Sequence, residues 1–210
     1  DFFEKQLAVI RGEEAFREHL NIIYAGGDDI FVVGRWDKTI DFAERIHKEV
    51  KQRFGVDGLS ISGGVAIVHP KFPIAKAAEQ AGEAEDAAKR FRNGEKNAFH
   101  FLGRTVSWKE EFDFVKDYKD KFIELIEKLS VSRSLLHKMM LYASIAEKNK
   151  FHEETGKPLD YKYYWHASYF LTRMMKRNEG AVEICTELRD SVIKDVRVLQ
   201  LVAIAARWAE

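Results

Sequence analysis

Two β-rich runs, Ile22-Ile23-Tyr24-Ala25 and Ile30-Phe31-Val32-Val33, are joined by only four residues, Gly26-Gly27-Asp28-Asp29. So short a link folds the runs back on each other as a hairpin, because glycine accepts the positive φ that tight turns need. The spacing predicts strands at about 21–25 and 30–34. A turn has no use for two adjacent acids, which repel each other. Carboxylates at the tip of a hairpin with apolar flanks are well placed to hold a divalent cation, Mg²⁺ or Mn²⁺, against a nucleoside triphosphate. Taken alone, the four residues also read as a surface turn with solvated acids.

The elements around the hairpin set its context. Phe2, Phe3, Leu7, Ile10 and Phe16 fall mostly at helical spacing, predicting a helix over 1–18. Trp36, Ile40, Ala43, Ile46, His47, Val50 and Phe54 mark one face of a helix over 37–54, which Gly55 ends. Residues 59–68 read as a strand with Gly63 and Gly64 in its middle. Pro73 opens an Ala-rich helix to about Phe91, residues 92–95 are a turn, and Ala98-Phe99-His100-Phe101 is a last strand. This order suits an antiparallel sheet with helices on one face, an α+β domain over 1–104.

After Arg104 the β-like runs stop. Ser107 is expected to cap a helix through Leu129, and Ser132 another through Ala146. Gly156 and Pro158 mark a loop over 150–160. An aromatic-rich helix over about 161–177 follows, then one or two more between Ala181 and Trp208. Residues 105–210 therefore read as an all-α helical bundle.

Composition narrows the function classes. Net charge is zero over 210 residues, and residues 1–104 carry 16 Lys+Arg against 17 Asp+Glu, so nucleic-acid or membrane binding has to be local rather than global. The single Cys185 excludes an internal disulfide and fits a reducing cytoplasm. No apolar run approaches the ~18–20 residues that span a bilayer. The seven histidines show no zinc-ligand spacing, and neither a nucleophile elbow nor a Walker loop occurs.

Asp28 and Asp29 are the candidate catalytic and metal-holding residues, with Gly26 and Gly27 beside them. A divalent cation takes about six oxygen ligands, so at least one more carboxylate is needed. Asp57 lies in a turn and Asp37 opens a helix, so the partner is expected on a strand before residue 1. The chain begins at Asp1 inside a helical pattern and reads as an N-terminally truncated piece. Ser62-Gly63-Gly64 fits either nucleotide contact or a bulge and close strand packing. Lys89 and Lys96 suit phosphate neutralisation as well as a solvated surface. Tyr161-Lys162-Tyr163-Tyr164-Trp165, with Tyr169, Phe170 and Arg173, reads as core, subunit interface or RNA-stacking surface.

Together, Tyr24-Ala25-Gly26-Gly27-Asp28-Asp29-Ile30-Phe31-Val32-Val33-Gly34, residues 59–67, Ala87-Ala88-Lys89 and Lys96-Asn97-Ala98-Phe99 resemble the palm of the large subunit of type III CRISPR effector complexes, especially the III-A (Csm) kind. Asp1-Phe2-Phe3 resembles the end of the helix before that hairpin, and Tyr163-Tyr164-Trp165 through Arg173 is similar to the family's C-terminal helical domain. The resemblance implies a ferredoxin-like palm related to nucleotidyl cyclases, with its first strand missing, followed by a helical domain. It implies synthesis of cyclic oligoadenylate from ATP on target RNA binding, with Asp28 and Asp29 holding the metals. Gly26 and Gly27 would let the triphosphate approach, Ser62-Gly63-Gly64 would lie beside the nucleotide, and Lys89 would contact phosphate, with Lys96 included among the nucleotide-binding residues. The implied partners are guide RNA, target RNA, the small helical subunit and the guide-tag-binding subunit. The fragment alone is expected to be inactive.

Two other functions compete. Diguanylate cyclases normally end the motif Glu-Phe where this chain has Asp29-Ile30, and Arg17-Glu18-His19-Leu20 has Leu where their product-inhibition motif has Asp. A non-catalytic scaffold subunit would gain nothing from two adjacent acids.

Overall fold

The computed structural model describes residues 2–27, 29–55, 59–157 and 159–210, the side chains of residues 2–4 excepted. Asp1, Asp28, Asp57 and Pro158, which the sequence reading singles out, lie outside the described residues, as do the side chains of Phe2 and Phe3. The chain divides into two compact units, Asp1–Trp108 and Lys109–Glu210.

The first unit opens with helices α1 (Phe2–Gly12) and α2 (Glu14–Arg17), which split the single helix expected over 1–18 at Glu13. Strands β1 (Leu20–Gly26) and β2 (Asp29–Gly34) form the expected antiparallel hairpin, with Gly26 opposite Asp29. A bulge between Ile22 and Tyr24 shifts the register. It explains how an unalternating run can line one face: Leu20, Ile22 and Ala25 all pack on the core, while Ile23 and Tyr24 are exposed. At the base, a Cβ on Gly34 would stand 2.2 Å from the His19 carbonyl oxygen, so only glycine allows this closing contact. The hairpin packs on Leu7 and Ile10 of α1, Phe16 of α2, and Phe42, Ile46 and Val50 of α3 (Trp36–Phe54).

Strand β3 is only Gly63–Gly64, much shorter than the run expected over 59–68. Helix α4 (Ile74–Lys89) and a distorted turn α5 (Phe91–Gly94), with Arg92 and Asn93 at positive φ, lead to β4 (Ala98–Phe101). Strand β3 pairs with β4 in parallel, Gly63 with Phe99 and Gly64 with His100. The expected all-antiparallel sheet is thereby corrected. A helix between two strands returns the chain to its starting end, so neighbouring strands joined this way run parallel. Gly64 leaves no room for a side chain, because its Cβ would lie 2.3 Å from the Glu85 backbone nitrogen and 2.4 Å from the Ala84 carbonyl carbon. The strand is pressed onto α4 at that point.

Strand β5 (Arg104–Ser107) pairs antiparallel with β4 across Leu102-Gly103, both at positive φ. The sequence reading ended the sheet at Phe101 and placed 105–107 in the helical part. Thr105 and Val106 are β-formers, and Leu102-Gly103 is a two-residue hairpin link whose signal lacked the usual Asn or Asp. Ser107 is therefore a strand residue and not a helix cap.

In the second unit, α6 starts at Phe112 and ends at Glu127, later than the expected start at Ser107. Helix α7 (Ser134–Thr155) runs into the region expected as a loop and stops at Gly156, which takes a left-handed φ of 69°. Ser132 supports its start, the Ser134 amide donating to Ser132 Oγ at 3.2 Å. Helix α8 spans Lys162–Arg177, α9 Val182–Asp190 and α10 Val196–Ala209. The core helix is α10: Leu199, Leu201, Val202, Ile204, Ala205, Ala206 and Trp208 are all buried. Asp195 caps it, accepting from the Arg197 and Val198 amides at 2.8 and 3.0 Å. Arg197 in turn donates twice to the buried Glu111, at 2.8 and 2.7 Å. No helix among the described residues is long and apolar enough to cross a membrane.

Candidate active site at the glycine hairpin

Asp29 is the first residue of β2, exposed at the closed end of the hairpin. The two glycines before it act differently. Gly27 has a φ of 64° and open space around its Cβ position, so it serves the turn. Gly26 is paired with Asp29, and a Cβ there would lie 2.8 Å from the Tyr24 hydroxyl oxygen. Gly26 thus leaves room for the Tyr24 ring. Asp28 lies outside the described residues.

Lys89 ends α4, and its ammonium bonds Glu85 at 2.8 Å, one helical turn back. The hydrogen bond to Glu85 is the main reason its pKa is raised; desolvation opposes the rise, while the charges of Glu85, Asp29 and Asp86 add to it. The fold has therefore brought Lys89 within electrostatic reach of Asp29, 60 positions earlier in the chain. A firmly cationic ammonium within electrostatic reach of an exposed carboxylate can help neutralise a phosphate brought to that carboxylate.

Ser62-Gly63-Gly64 lies against the same helix, four to five residues before Lys89, through the Gly64 contact with Ala84 and Glu85. Gly64 is thus explained by strand–helix packing alone. Gly63 is not crowded, a Cβ there meeting only the Phe99 ring at 3.6 Å. Ser62 Oγ is buried without a hydrogen-bond partner. Lys96 precedes β4, three residues before the Phe99 that pairs with Gly63. Lys96 is exposed, with a φ of 57°. Asp37, considered as a possible metal ligand, is engaged by Arg35 at 3.2 and 2.7 Å.

Sequence reasoning missed two members of this neighbourhood. Glu85 competes for Lys89, and its i,i+4 spacing from that lysine was a legible signal. Tyr24 brings a hydroxyl to Gly26, which nothing in the sequence announced. Among the described residues no group of three His, Cys, Asp or Glu side chains could hold a metal ion. Asp29 is a single exposed carboxylate here, able to give a divalent cation one of the about six oxygen ligands it takes.

Comparison with known proteins defines the class first. Residues 1–100 match the family described as Cas10/Cmr2, second palm domain. The chain is 34% identical over 146 residues to the CRISPR system single-strand-specific deoxyribonuclease Cas10/Csm1 (subtype III-A) of Enterococcus italicus, covering 66% of this chain and 18% of the relative. It is 35% identical over 121 residues to the protein of that name from Mycobacterium tuberculosis, covering 56% of this chain and 15% of the relative. A more distant match, 34% over 92 residues, is to the CRISPR system Cmr subunit Cmr2 of Pyrococcus furiosus, covering 41% and 11%. Residues 1–100 therefore carry the second palm domain of the Cas10/Cmr2 family, and the chain is related to Cas10/Csm1 proteins of subtype III-A. It spans less than a fifth of the length of these relatives.

Proposed function

We propose that this chain is the nucleotide-polymerising palm, with its helical domain, of the large subunit of a type III-A CRISPR complex. In the complete subunit the hairpin joins ATP molecules into cyclic oligoadenylate when target RNA is bound. The observation that carries this reading is an exposed Asp29, unpaired among the described residues, at the closed end of a hairpin whose turn is built on Gly27, with the Lys89 ammonium within its electrostatic reach.

The roles follow from the chemistry of the side chains. Asp28 and Asp29 would hold Mg²⁺ or Mn²⁺, which polarises the phosphorus under attack and lowers the pKa of the attacking hydroxyl. Gly27, without a side chain, keeps the approach to the turn clear. Lys89 neutralises phosphate charge, exchanging its bond to Glu85 for one to a phosphate oxygen. Ser62 offers its unpartnered hydroxyl to the nucleotide, and Lys96 meets more distant phosphate charge. The guide and target RNA, the small helical subunit and the guide-tag-binding subunit are the partners of the whole assembly, which works in the cytoplasm.

The test uses a complete subunit in its assembled complex, offered ATP and GTP side by side with target RNA. Asp28→Ala with Asp29→Ala is expected to abolish oligoadenylate formation and leave assembly intact. Unchanged yield in that variant would overturn the assignment, and a preference for GTP would favour a diguanylate-cyclase-like reaction instead.

A further inference from the structure

The aromatic helix α8 is neither pure core nor a greasy interface. Tyr163, Ala167, Leu171 and Met174 are buried and fix it to its unit. The opposite face carries Tyr161, Trp165 and Tyr169, one helical turn apart and 57%, 79% and 64% exposed. The other exposed residues of 161–177 are Lys162, His166, Arg173, Lys176 and Arg177. Every exposed position on this stretch is therefore aromatic, cationic or imidazole, and the stretch contains no Asp or Glu. In a chain of zero net charge that is a strong local bias.

The cations are also unspent. Ion pairs are common elsewhere in this unit, yet among the described residues none of Lys138, Lys162, Arg173, Lys176 and Arg177 is in one. Arg173 instead lies 5.6 Å from the centroid of the Tyr169 ring and bonds its hydroxyl at 3.3 Å. Beside this face, α7 and α8 enclose a groove of about 780 Å³. It is lined by Leu141, Tyr142, Ile145 and Phe170 together with Lys138, Lys162, Arg173 and Arg177, against a single acid, Asp160. The Asp160 carboxylate is already used by the Lys162 amide at 3.0 Å.

We infer that this groove and the aromatic face beside it bind single-stranded RNA, with bases stacking on Trp165 and Tyr169 and phosphates tracking Lys138, Lys162, Arg173 and Arg177. A cationic track interleaved with stacking aromatics is the chemistry of single-strand binding. A partner helix is disfavoured because α8 exposes no Leu, Ile, Val or Met, which leaves the exposed Leu141 of α7 as the one aliphatic side chain at this site that is open for a helix to cover. Duplex is disfavoured because its bases are already stacked and closed to the rings. The hydroxyls of Ser130, Ser132 and Ser134 at the groove give the ribose 2′-hydroxyl partners that DNA could not use. This inference is independent of nucleotide chemistry at the hairpin.

The test titrates the full chain into a fluorescein-labelled 12-mer of single-stranded RNA without ATP or divalent metal, reading anisotropy and tryptophan quenching. Micromolar binding that weakens steeply with salt is expected. Trp165→Ala with Tyr169→Ala should weaken it tenfold or more, and Arg173→Glu with Arg177→Glu at least as much. All four residues are exposed, and circular dichroism checks that both variants stay folded. Asp29→Ala should bind RNA normally, which separates this site from the hairpin. The inference is overturned by no binding at 100 µM, by binding indifferent to both variants, or by equal affinity for duplex RNA or single-stranded DNA. Displacement of the RNA signal by an acidic helical peptide at lower concentration than RNA itself would assign the face to a protein instead.

Discussion

Two acids, one in each unit, are used in opposite ways. Glu111 is buried and receives two hydrogen bonds from Arg197, joining the segment before α6 to the start of the core helix α10. Asp29 is exposed at a hairpin end, makes no ion pair among the described residues, and has Lys89 as its cationic neighbour only at longer range. A buried carboxylate has to be satisfied or the fold suffers; an exposed one left unpaired is free to meet a ligand. The first unit therefore holds this acid on an edge that its core does not need, while the second uses its buried charge to build the core.

The largest expected effect breaks that contrast if it fails. Glu111→Ala removes the partner of a guanidinium that is itself partly exposed, and should cost about 2–3 kcal/mol in urea unfolding of the second unit, at the low end for a broken buried pair. A loss under ~0.5 kcal/mol, the scale of ordinary surface changes, would place Glu111 with the surface acids. Next comes Gly64→Ala, which forces a methyl into the α4 backbone and should cost about 2 kcal/mol through overpacking. If the variant were as stable as the parent, strand–helix packing would no longer account for that glycine.

A pH experiment sharpens the picture in the first unit. Burial holds the His100 imidazole below its ordinary pKa, with its Nδ1 2.8 Å from Thr105 Oγ1. A depressed folded pKa means the unfolded chain takes up the proton first as pH falls. Stability present above the ordinary imidazole range is then lost on acidification through it. His100→Gln should show a smaller drop in melting temperature between pH 8 and pH 5.5 than the parent; an identical drop removes His100 from the account. The smallest effect belongs to Asp29→Ala, expected to shift stability by no more than about 0.5 kcal/mol. A loss above 1 kcal/mol would make Asp29 a structural residue and erase the difference between the two acids.

The hairpin, the order of the helices and the change of character in mid-chain were legible because they rest on local signals: glycine at a tight link, apolar positions at helical spacing, and the end of β-rich runs. The misreadings share one cause. The parallel pairing of β3 with β4, the reduction of a ten-residue run to Gly63–Gly64, and the appearance of β5 all depend on which segments meet after folding. The extension of α7 to Thr155 is different, a local end set by Gly156 rather than by the expected loop. Of the site residues, Gly26, Gly27 and Asp29 sit at the end of the hairpin as the sequence predicts, and Lys89 lies within electrostatic reach of Asp29, whereas Lys96 precedes β4. The aromatic helix reads from its composition as core, subunit interface or RNA-stacking surface, and the structure buries Tyr163 on one face while exposing Trp165 and Tyr169 on the other.

By itself the sequence determined the hairpin, because Gly26-Gly27 between two β-forming runs leaves the backbone little else to do, and it determined two adjacent acids at that turn. It also concentrated cations and aromatic rings in one acid-free helix. Only the tertiary structure decided that Lys89 stands near Asp29, that Gly64 serves a helix, and that Trp165 and Tyr169 face outward. Those outcomes depend on contacts between residues tens of positions apart, and such contacts are selected by packing the whole chain rather than by the preferences of any short stretch.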